Sequence, residues 1–115
     1  MISLKEIIEK LNLEPLTPAG DVNRSVAGGY ASDLLSCAMK GTKEDYLWVT
    51  LQSHLNIVAV ASLVNLAGVI ITEGNRPDGE TVSRAVKEGV LLLATPKTTF
   101  TAVGELALLG VRGDP

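Results

Sequence analysis

The sequence predicts a three-layer α/β/α domain with a mainly parallel sheet of four or five strands. Three short apolar runs, each closed by a threonine, carry this prediction: Leu47–Thr50, Val69–Thr72 and Leu92–Thr95. Each run is followed by a polar turn and a segment of helical length, an alternation typical of buried parallel strands joined by right-handed crossovers. The composition agrees, because 46% hydrophobic but only 3% aromatic residues indicate a core of aliphatic side chains.

Length and charge limit the function. The 115 residues fit one domain, 1–115, and the net charge of −3 comes from mixed and scattered charges. Without a basic block, nucleic acid is not an expected partner. The single Cys37 excludes an intrachain disulfide and a multi-cysteine metal site, and we expect neither a metal nor a cofactor.

The N-terminal residues argue against export, and the polar residues within the longest apolar stretch argue against a membrane span. Residues 1–6 show neither a basic start nor an apolar core, so a cytoplasmic protein is the simplest expectation. The long apolar stretch 55–71 is interrupted by Asn56, Ser62, Asn65 and Gly68. Gly68 divides it into a helix and a strand, neither of which reaches about 20 residues.

The first element is a helix that begins with the capping box Ser3 to Glu6 and ends near Asn12. Its apolar residues form a single stripe, which indicates a surface helix. Short extended pieces follow at Glu14–Leu16 and Val22–Val26.

Paired glycines, Gly28 and Gly29, close the extended region. They allow a ligand loop or, as the favoured interpretation, a bend before a helix at Asp33–Met39. Asp33 is the expected N-cap of that helix and Gly41 its end. No phosphate-binding loop is present, because the glycines near Lys43 lack the required spacing.

The most polar cluster follows the strand Leu47–Thr50 and precedes a helix at Ile57–Leu66. It contains the only histidine, His54. A hydrogen-bonding or capping role is favoured for His54 over ligand contact, and catalysis is the least favoured role because no orienting carboxylate or second metal ligand lies nearby in sequence.

The remaining strands are Gly68–Thr72, which is the most hydrophobic and is expected at the centre, and Val90–Thr95. Between them Asp78 is expected to cap a helix that turns Val82, Ala85 and Val86 inward and ends at Gly89. Glu73 and Arg76, in the loop before that helix, could bind a ligand or pair with each other, and pairing is favoured.

Open parallel sheets bind ligands at the carboxyl ends of their strands, an edge that the three threonines mark. We call it the carboxyl edge. If a small ligand binds, we expect it there, and Lys97 and Arg76 favour an anionic metabolite or nucleotide. The candidate ligand-binding residues are Thr50, Gln52, His54, Asn56, Thr72, Glu73, Arg76, Thr95, Lys97 and Thr98.

Three stretches together resemble the DRTGG domain family: Gly28 to Ser36, Gln52 to Ala61, and Thr98 to Phe100. Such domains are similar to the N-terminal domain of HPr kinase/phosphorylase and occur beside CBS domains in regulated pyrophosphatases and before some phosphotransacetylases. The resemblance implies a regulatory or dimerising, non-catalytic part. Single-domain relatives resemble proteins encoded near iron-only hydrogenase genes, which implies a protein partner. The five letters of the family name are not contiguous in this chain.

The predicted function is therefore a non-catalytic regulatory, ligand-binding or dimerisation domain. Two alternatives remain open: an accessory subunit that binds another protein, and a small enzyme that uses His54 with Glu73 or Asp33. A homodimer is expected, with contacts from the helices Ile57–Leu66 and Phe100–Leu109, because both are apolar over more than one stripe. Leu106 is the expected contact residue of the second helix.

Overall fold

The computed structural model describes residues 1–18 and 20–114, which form an alternating series of helices and strands. In chain order the elements are α1 (Leu4–Leu11), β1 (Glu14–Pro15), β2 (Gly28–Ala31), α2 (Leu35–Gly41), β3 (Tyr46–Thr50), α3 (Asn56–Val64), β4 (Gly68–Ile71), α4 (Gly79–Glu88), β5 (Leu92–Ala94) and α5 (Thr99–Leu108).

The five strands form one sheet in the order β1-β5-β4-β3-β2. Strands β2 to β5 are parallel, and β1 is antiparallel to β5, with Glu14 opposite Ala94. The predicted fold class is confirmed, as is the central place of the strand at Gly68, because β4 is the middle strand.

Each face of the sheet has its own core. The side chains of Leu47, Val49 and Ile70 point to the layer of α1 and α5, and the alternate residues Trp48 and Val69 point to the layer of α2, α3 and α4. Strand residues that alternate between two buried faces must be apolar throughout, which explains the continuous hydrophobic runs. In the described part of the chain, every helix is too short or too polar to cross a bilayer.

The helix ends follow their sequence signals in α1 and α4. Ser3 accepts a hydrogen bond from the Glu6 amide at 3.2 Å, and the chain leaves α1 at Asn12 in the left-handed conformation (φ 54°). Asp78 caps α4 and Gly89 ends it, as predicted. The prediction that Val86 faces inward was wrong, since its side chain is half exposed and Thr81 is buried instead.

Two predictions around the glycine pair were wrong. Gly28 and Gly29 are neither a loop nor a bend, because they lie in strand β2, which pairs with β3. Asp33 does not cap the next helix, whose N-cap position is Leu34. The side chain of Asp33 turns to the neighbouring strand β3, where it accepts hydrogen bonds from the Thr50 hydroxyl and the Leu51 amide.

Candidate functional site

The loops 32–34, 51–55, 72–78 and 95–98 follow the four parallel strands and form the carboxyl edge, where sequence analysis placed the candidate site. Hydrogen bonds join these loops to one another. Asn75 donates its side-chain amide to the Leu51 carbonyl at 2.8 Å, and the Glu73 amide donates to the Lys97 carbonyl at the same distance. The predicted residues are therefore brought to one edge, but in an interlinked arrangement.

The three marker threonines lie beneath the surface of this edge. Thr50 and Thr72 are fully buried, and Thr95 is 3% exposed. The Thr50 hydroxyl donates to Asp33, the Thr72 hydroxyl contacts that of Thr99 at 2.6 Å, and the Thr95 hydroxyl accepts from the Lys97 amide at 3.2 Å. Their hydroxyls hold the loops in place and are not presented to solvent.

Asp33, which the sequence analysis expected as a helix cap and did not count among the candidate ligand-binding residues, also lies at the carboxyl edge. Both of its hydrogen bonds, from Thr50 Oγ1 and from the Leu51 amide, measure 2.9 Å, and its carbonyl accepts from the Gln52 side-chain amide at 3.2 Å. An aspartate two residues after strand β2 stands where carboxyl-edge residues are expected. Recognition of β2 would have been sufficient to find it.

His54 makes a local hydrogen bond at the start of α3, whose N-cap position is Leu55. Its Nδ1 accepts a hydrogen bond from the Asn56 amide at 3.2 Å, at the start of α3. The carboxylates considered as catalytic partners are bonded elsewhere: Asp33 to β3, and Glu73 to the Thr99 amide at 2.8 Å.

Both candidate cations have carboxylate partners. Arg76 forms a two-pronged ion pair with Glu14, at 3.0 and 2.8 Å, and not with Glu73 as predicted. The hydrogen bonds and charge of Arg76 hold the pKa of Glu14 below its ordinary value. Lys97 contacts Glu105 at 2.7 Å and the Leu11 carbonyl at 3.3 Å.

The N-termini of α4 and α5, two of the helices that begin at this edge, are capped from within the chain. Asp78 accepts from the Thr81 amide at 2.9 Å, and this bond holds the pKa of Asp78 below its ordinary value. Thr98 accepts from the Thr101 amide at 3.2 Å. These internal acceptors occupy N–H groups that an anion could otherwise use.

Two open clefts flank Arg76. One, of about 570 Å³, is lined by Leu51, Gln52, Ser53, His54, Leu55, Asn75, Arg76, Asp78, Glu80 and Thr81. The other, of about 580 Å³, is lined by Asn12, Leu13, Glu14, Gly74, Asn75, Arg76, Ala94, Thr95 and Pro96. Lys97, Thr98 and Asn56 line neither cleft, so these candidate residues are not gathered around one cavity.

The cleft walls are more acidic than basic, because Glu14, Asp78 and Glu80 stand against the single cation Arg76. Among the described residues there is also no group of three or more histidine, cysteine or acidic side chains placed to hold a metal ion. The arrangement is suited to hydrogen bonding a polar ligand through Gln52, His54 and Asn75, with Arg76 as the one site for a negative group.

No protein-family model and no curated protein matches the sequence. Solved structures with a similar fold include the CBS and DRTGG domains of the regulatory region of Clostridium perfringens pyrophosphatase, complexed with the activator diadenosine tetraphosphate. This regulatory region is 19% identical, with a TM-score of 0.76 over 90% of this chain and 45% of that chain. The present chain thus spans less than half of that regulatory region. At the level of fold, the likeness confirms the resemblance to DRTGG domains.

Proposed function

We propose that this chain is a non-catalytic regulatory domain of the DRTGG type, which binds a small ligand at the carboxyl edge and pairs with a second copy of itself. The observation that carries the proposal is the state of the carboxyl edge, where the buried hydroxyls and the loop carboxylates bond to the chain itself. Such an edge offers a rigid binding surface and no activated nucleophile. The similar fold of a pyrophosphatase regulatory region supports the same role.

The geometry does not favour the enzymatic alternative. A catalytic imidazole needs an orienting carboxylate, but Nδ1 of His54 accepts from the Asn56 amide, and the hydrogen bonds of Asp33 and Glu73 are made to groups other than His54. ATP hydrolysis measured with wild type and His54→Ala tests this directly. Phosphate release by the wild type that disappears in His54→Ala would overturn the non-catalytic role.

The ligand site in this proposal is the cleft beside His54, with Gln52 and His54 as hydrogen-bonding groups and Arg76 as the anion-binding group. Arg76 is already paired with Glu14, but the side chains of Arg76 and Glu14 are 56% and 59% exposed, respectively. Exposed ion pairs are weak, so a phosphate or carboxylate can replace Glu14 at low cost. Of the two expected ligand classes, an anionic metabolite and a nucleotide, the nucleotide is supported by the dinucleotide activator with which the pyrophosphatase regulatory region was crystallised.

In this arrangement the other candidate residues support the loops. Thr50, Thr72 and Thr95 fix the backbone beneath the cleft, and Glu73 holds the start of α5 through the Thr99 amide. Asn56, Lys97 and Thr98 lie outside the cleft walls. Substitution of these residues is therefore expected to alter stability more than affinity.

A thermal-shift panel of ATP, ADP, diadenosine tetraphosphate and acetyl phosphate, each at about 1 mM, tests the site, because a ligand that binds the native state raises the unfolding temperature. We expect Arg76→Gln to remove the shift and Glu14→Gln to enlarge it, since the latter frees the guanidinium. Lys87→Gln, on the exposed side of α4, is the matched control. Equal shifts in all variants, or none in wild type, would overturn the site.

The pairing surface in this proposal is the exposed face of α5. Helices α3 and α5 lie on opposite faces of the sheet, so one two-fold contact cannot use both as predicted. On α5, Phe100 and Leu108 are 89% and 88% exposed, whereas Leu106, the predicted contact residue, belongs to the core at 3%. We define the α5 face by its exposed small and apolar residues: Phe100, Val103, Gly104, Ala107 and Leu108.

Sedimentation of the wild type, Leu108→Glu and Leu63→Glu separates the surfaces, because Leu63 is the exposed leucine of α3. We expect a wild-type dimer that only Leu108→Glu dissociates. Dissociation by Leu63→Glu alone would move the contact to α3. A monomeric wild type would overturn the homodimer and favour the accessory-subunit alternative.

A further inference from the structure

Strand β2 lies at the end of the sheet, yet its outer side is covered. The residues 111–114, which we call the edge segment, run along it. The Gly29 amide donates to the Arg112 carbonyl at 3.0 Å, and Asp114 accepts from the Tyr46 hydroxyl and pairs with Lys43 at 2.7 Å. The edge segment thus uses a main-chain hydrogen bond and a charged anchor.

The glycines of this region are explained by that coverage. A Cβ on Gly28 would stand 2.8 Å from the Arg112 carbonyl oxygen and 2.7 Å from the Tyr46 ring, and one on Gly29 would stand 3.2 Å from the Val111 side chain. A Cβ on Gly113 of the edge segment would likewise stand 3.3 Å from the Gly29 carbonyl oxygen. The surface is therefore shaped to receive a backbone at close distance.

Val111 provides the apolar contact of the edge segment. It is 9% exposed and lies between β2 and α5. A further apolar recess of about 90 Å³ lies beside it, with walls that include Tyr30, Val103 and Ala107. This recess has room for a side chain larger than valine.

We propose that the outer side of β2 is a strand-addition site for extended peptides that carry an aliphatic residue and, three positions later, an acidic residue, and that the edge segment is its built-in occupant. Main-chain hydrogen bonds to an exposed strand give such sites affinity, and pockets for alternate side chains give specificity. Here the recess beside Val111 selects the aliphatic side chain, and Lys43 with the Tyr46 hydroxyl selects the acid.

The edge segment is held in a way that allows exchange. The side chains of Lys43 and Asp114 are 64% and 47% exposed, and ion pairs this open contribute little against water and salt. An incoming peptide that makes the same bonds and also fills the recess therefore competes effectively. The proposal does not depend on the carboxyl edge, which lies at the ends of the strands.

The test uses the full chain and fluorescence anisotropy of a labelled peptide, Gly-Ile-Arg-Gly-Asp-Pro, in which isoleucine replaces the valine of the edge segment. Asp114→Ala releases the anchor of the edge segment, so this variant should bind about tenfold more tightly than wild type. A peptide with Asn for Asp should bind Asp114→Ala about tenfold more weakly than the Asp peptide. Adding Lys43→Ala should abolish that difference, whereas adding Lys87→Ala should not.

Tyr46→Phe provides a second measurement that changes no residue of the edge segment, although it removes one of the two bonds that anchor Asp114. It keeps the ring that packs on Gly28 and removes the hydroxyl donor, so it should narrow the preference for Asp over Asn. Protection of the Gly29 amide from hydrogen exchange should persist when the peptide is bound, because the peptide carbonyl replaces that of Arg112. Absence of binding to Asp114→Ala at about 1 mM peptide, or equal affinity for the Asp and Asn peptides, would overturn the proposal.

Discussion

The carboxyl edge and the α5 face are neighbours in the chain but differ in how their side chains are satisfied. At the carboxyl edge, Thr72 and Glu73 hydrogen-bond to Thr99, the first residue of α5. One residue later, Phe100 is 89% exposed, and Leu108 at the other end of the helix is 88% exposed. The polar groups are satisfied within the chain, whereas the apolar groups are not.

This difference follows from the partners that polar and apolar groups need. A hydroxyl or a carboxylate needs one or two partners, and short loops that meet at the edge of a sheet supply them. An apolar helix face needs a contiguous surface to cover it, which a chain of this length has already used for the two cores. Of these two regions, the α5 face is therefore the one that leaves apolar surface uncovered.

The largest expected effect comes from placing a charge on the buried side of α5 and comparing it with the same charge on the exposed side. Leu106 is 3% exposed and Leu108 is 88% exposed, although only one residue separates them. Leu106→Glu loses core packing and buries a charge, so we expect a loss of at least about 4 kcal/mol and no cooperative unfolding transition in urea. Leu108→Glu should change the free energy of unfolding by less than about 0.5 kcal/mol at low protein concentration. A stable Leu106→Glu would show that the two sides of α5 are assigned the wrong way round.

Substitution of two glycines, Gly28 and Gly104, compares the covered edge of strand β2 with the open α5 face. Gly28→Ala would place a Cβ against the Tyr46 ring and the Arg112 carbonyl, so we expect a loss of about 1–3 kcal/mol in urea denaturation. Nothing lies within 4 Å of a Cβ on Gly104. Gly104→Ala should therefore stabilise the helix by about 0.5–1 kcal/mol. Destabilisation by Gly104→Ala in the monomer would mean that the α5 face is covered by the chain itself.

The sequence was sufficient to predict the central strands because each is buried on both faces and must be apolar throughout. It was not sufficient for β2, since Gly28, Gly29 and Ala31 have low strand propensity. Tertiary contacts hold this strand instead: pairing with β3 on one side and the edge segment on the other. Glycines that serve close approach look like a turn when only their neighbours in sequence are considered.

The carboxyl edge was predicted in place but not in detail. Strand ends and helix starts fix which residues meet, so His54, Glu73 and Arg76 were expected there. Which of them are free is decided by distant partners: Glu14 is 62 residues from Arg76. Pairs between residues so far apart leave no local pattern in the sequence. The sequence alone therefore could not distinguish a cation that is paired within the chain from one that is free to bind a ligand.

A smaller effect is expected from the hydroxyl network of the carboxyl edge. Thr72→Val keeps the shape of a fully buried side chain but removes the bond to Thr99 at 2.6 Å and the bond donated to the Thr50 carbonyl at 3.3 Å. We expect a loss of about 1–2 kcal/mol in the free energy of unfolding. Ser53→Ala, in the neighbouring loop, is the control and should stay within about 0.5 kcal/mol. A neutral Thr72→Val would indicate that water already satisfies these groups.

The smallest effect concerns Asp78, whose pKa is held below its ordinary value by the hydrogen bond from the Thr81 amide. A depressed pKa in the folded state means that this carboxylate stabilises the fold above its ordinary pKa and that the stabilisation disappears as the pH falls through the folded value. The difference in unfolding temperature between wild type and Asp78→Ala should therefore be greatest near neutral pH and shrink from about pH 4 downward. Leu108→Ala on the α5 face adds or removes no titrating group, so its difference from wild type should not follow that titration. If the Asp78→Ala difference stayed constant to about pH 2, the carboxylate charge would not be what caps α4, and the assignment of carboxyl-edge acids to internal bonds would fail at this residue.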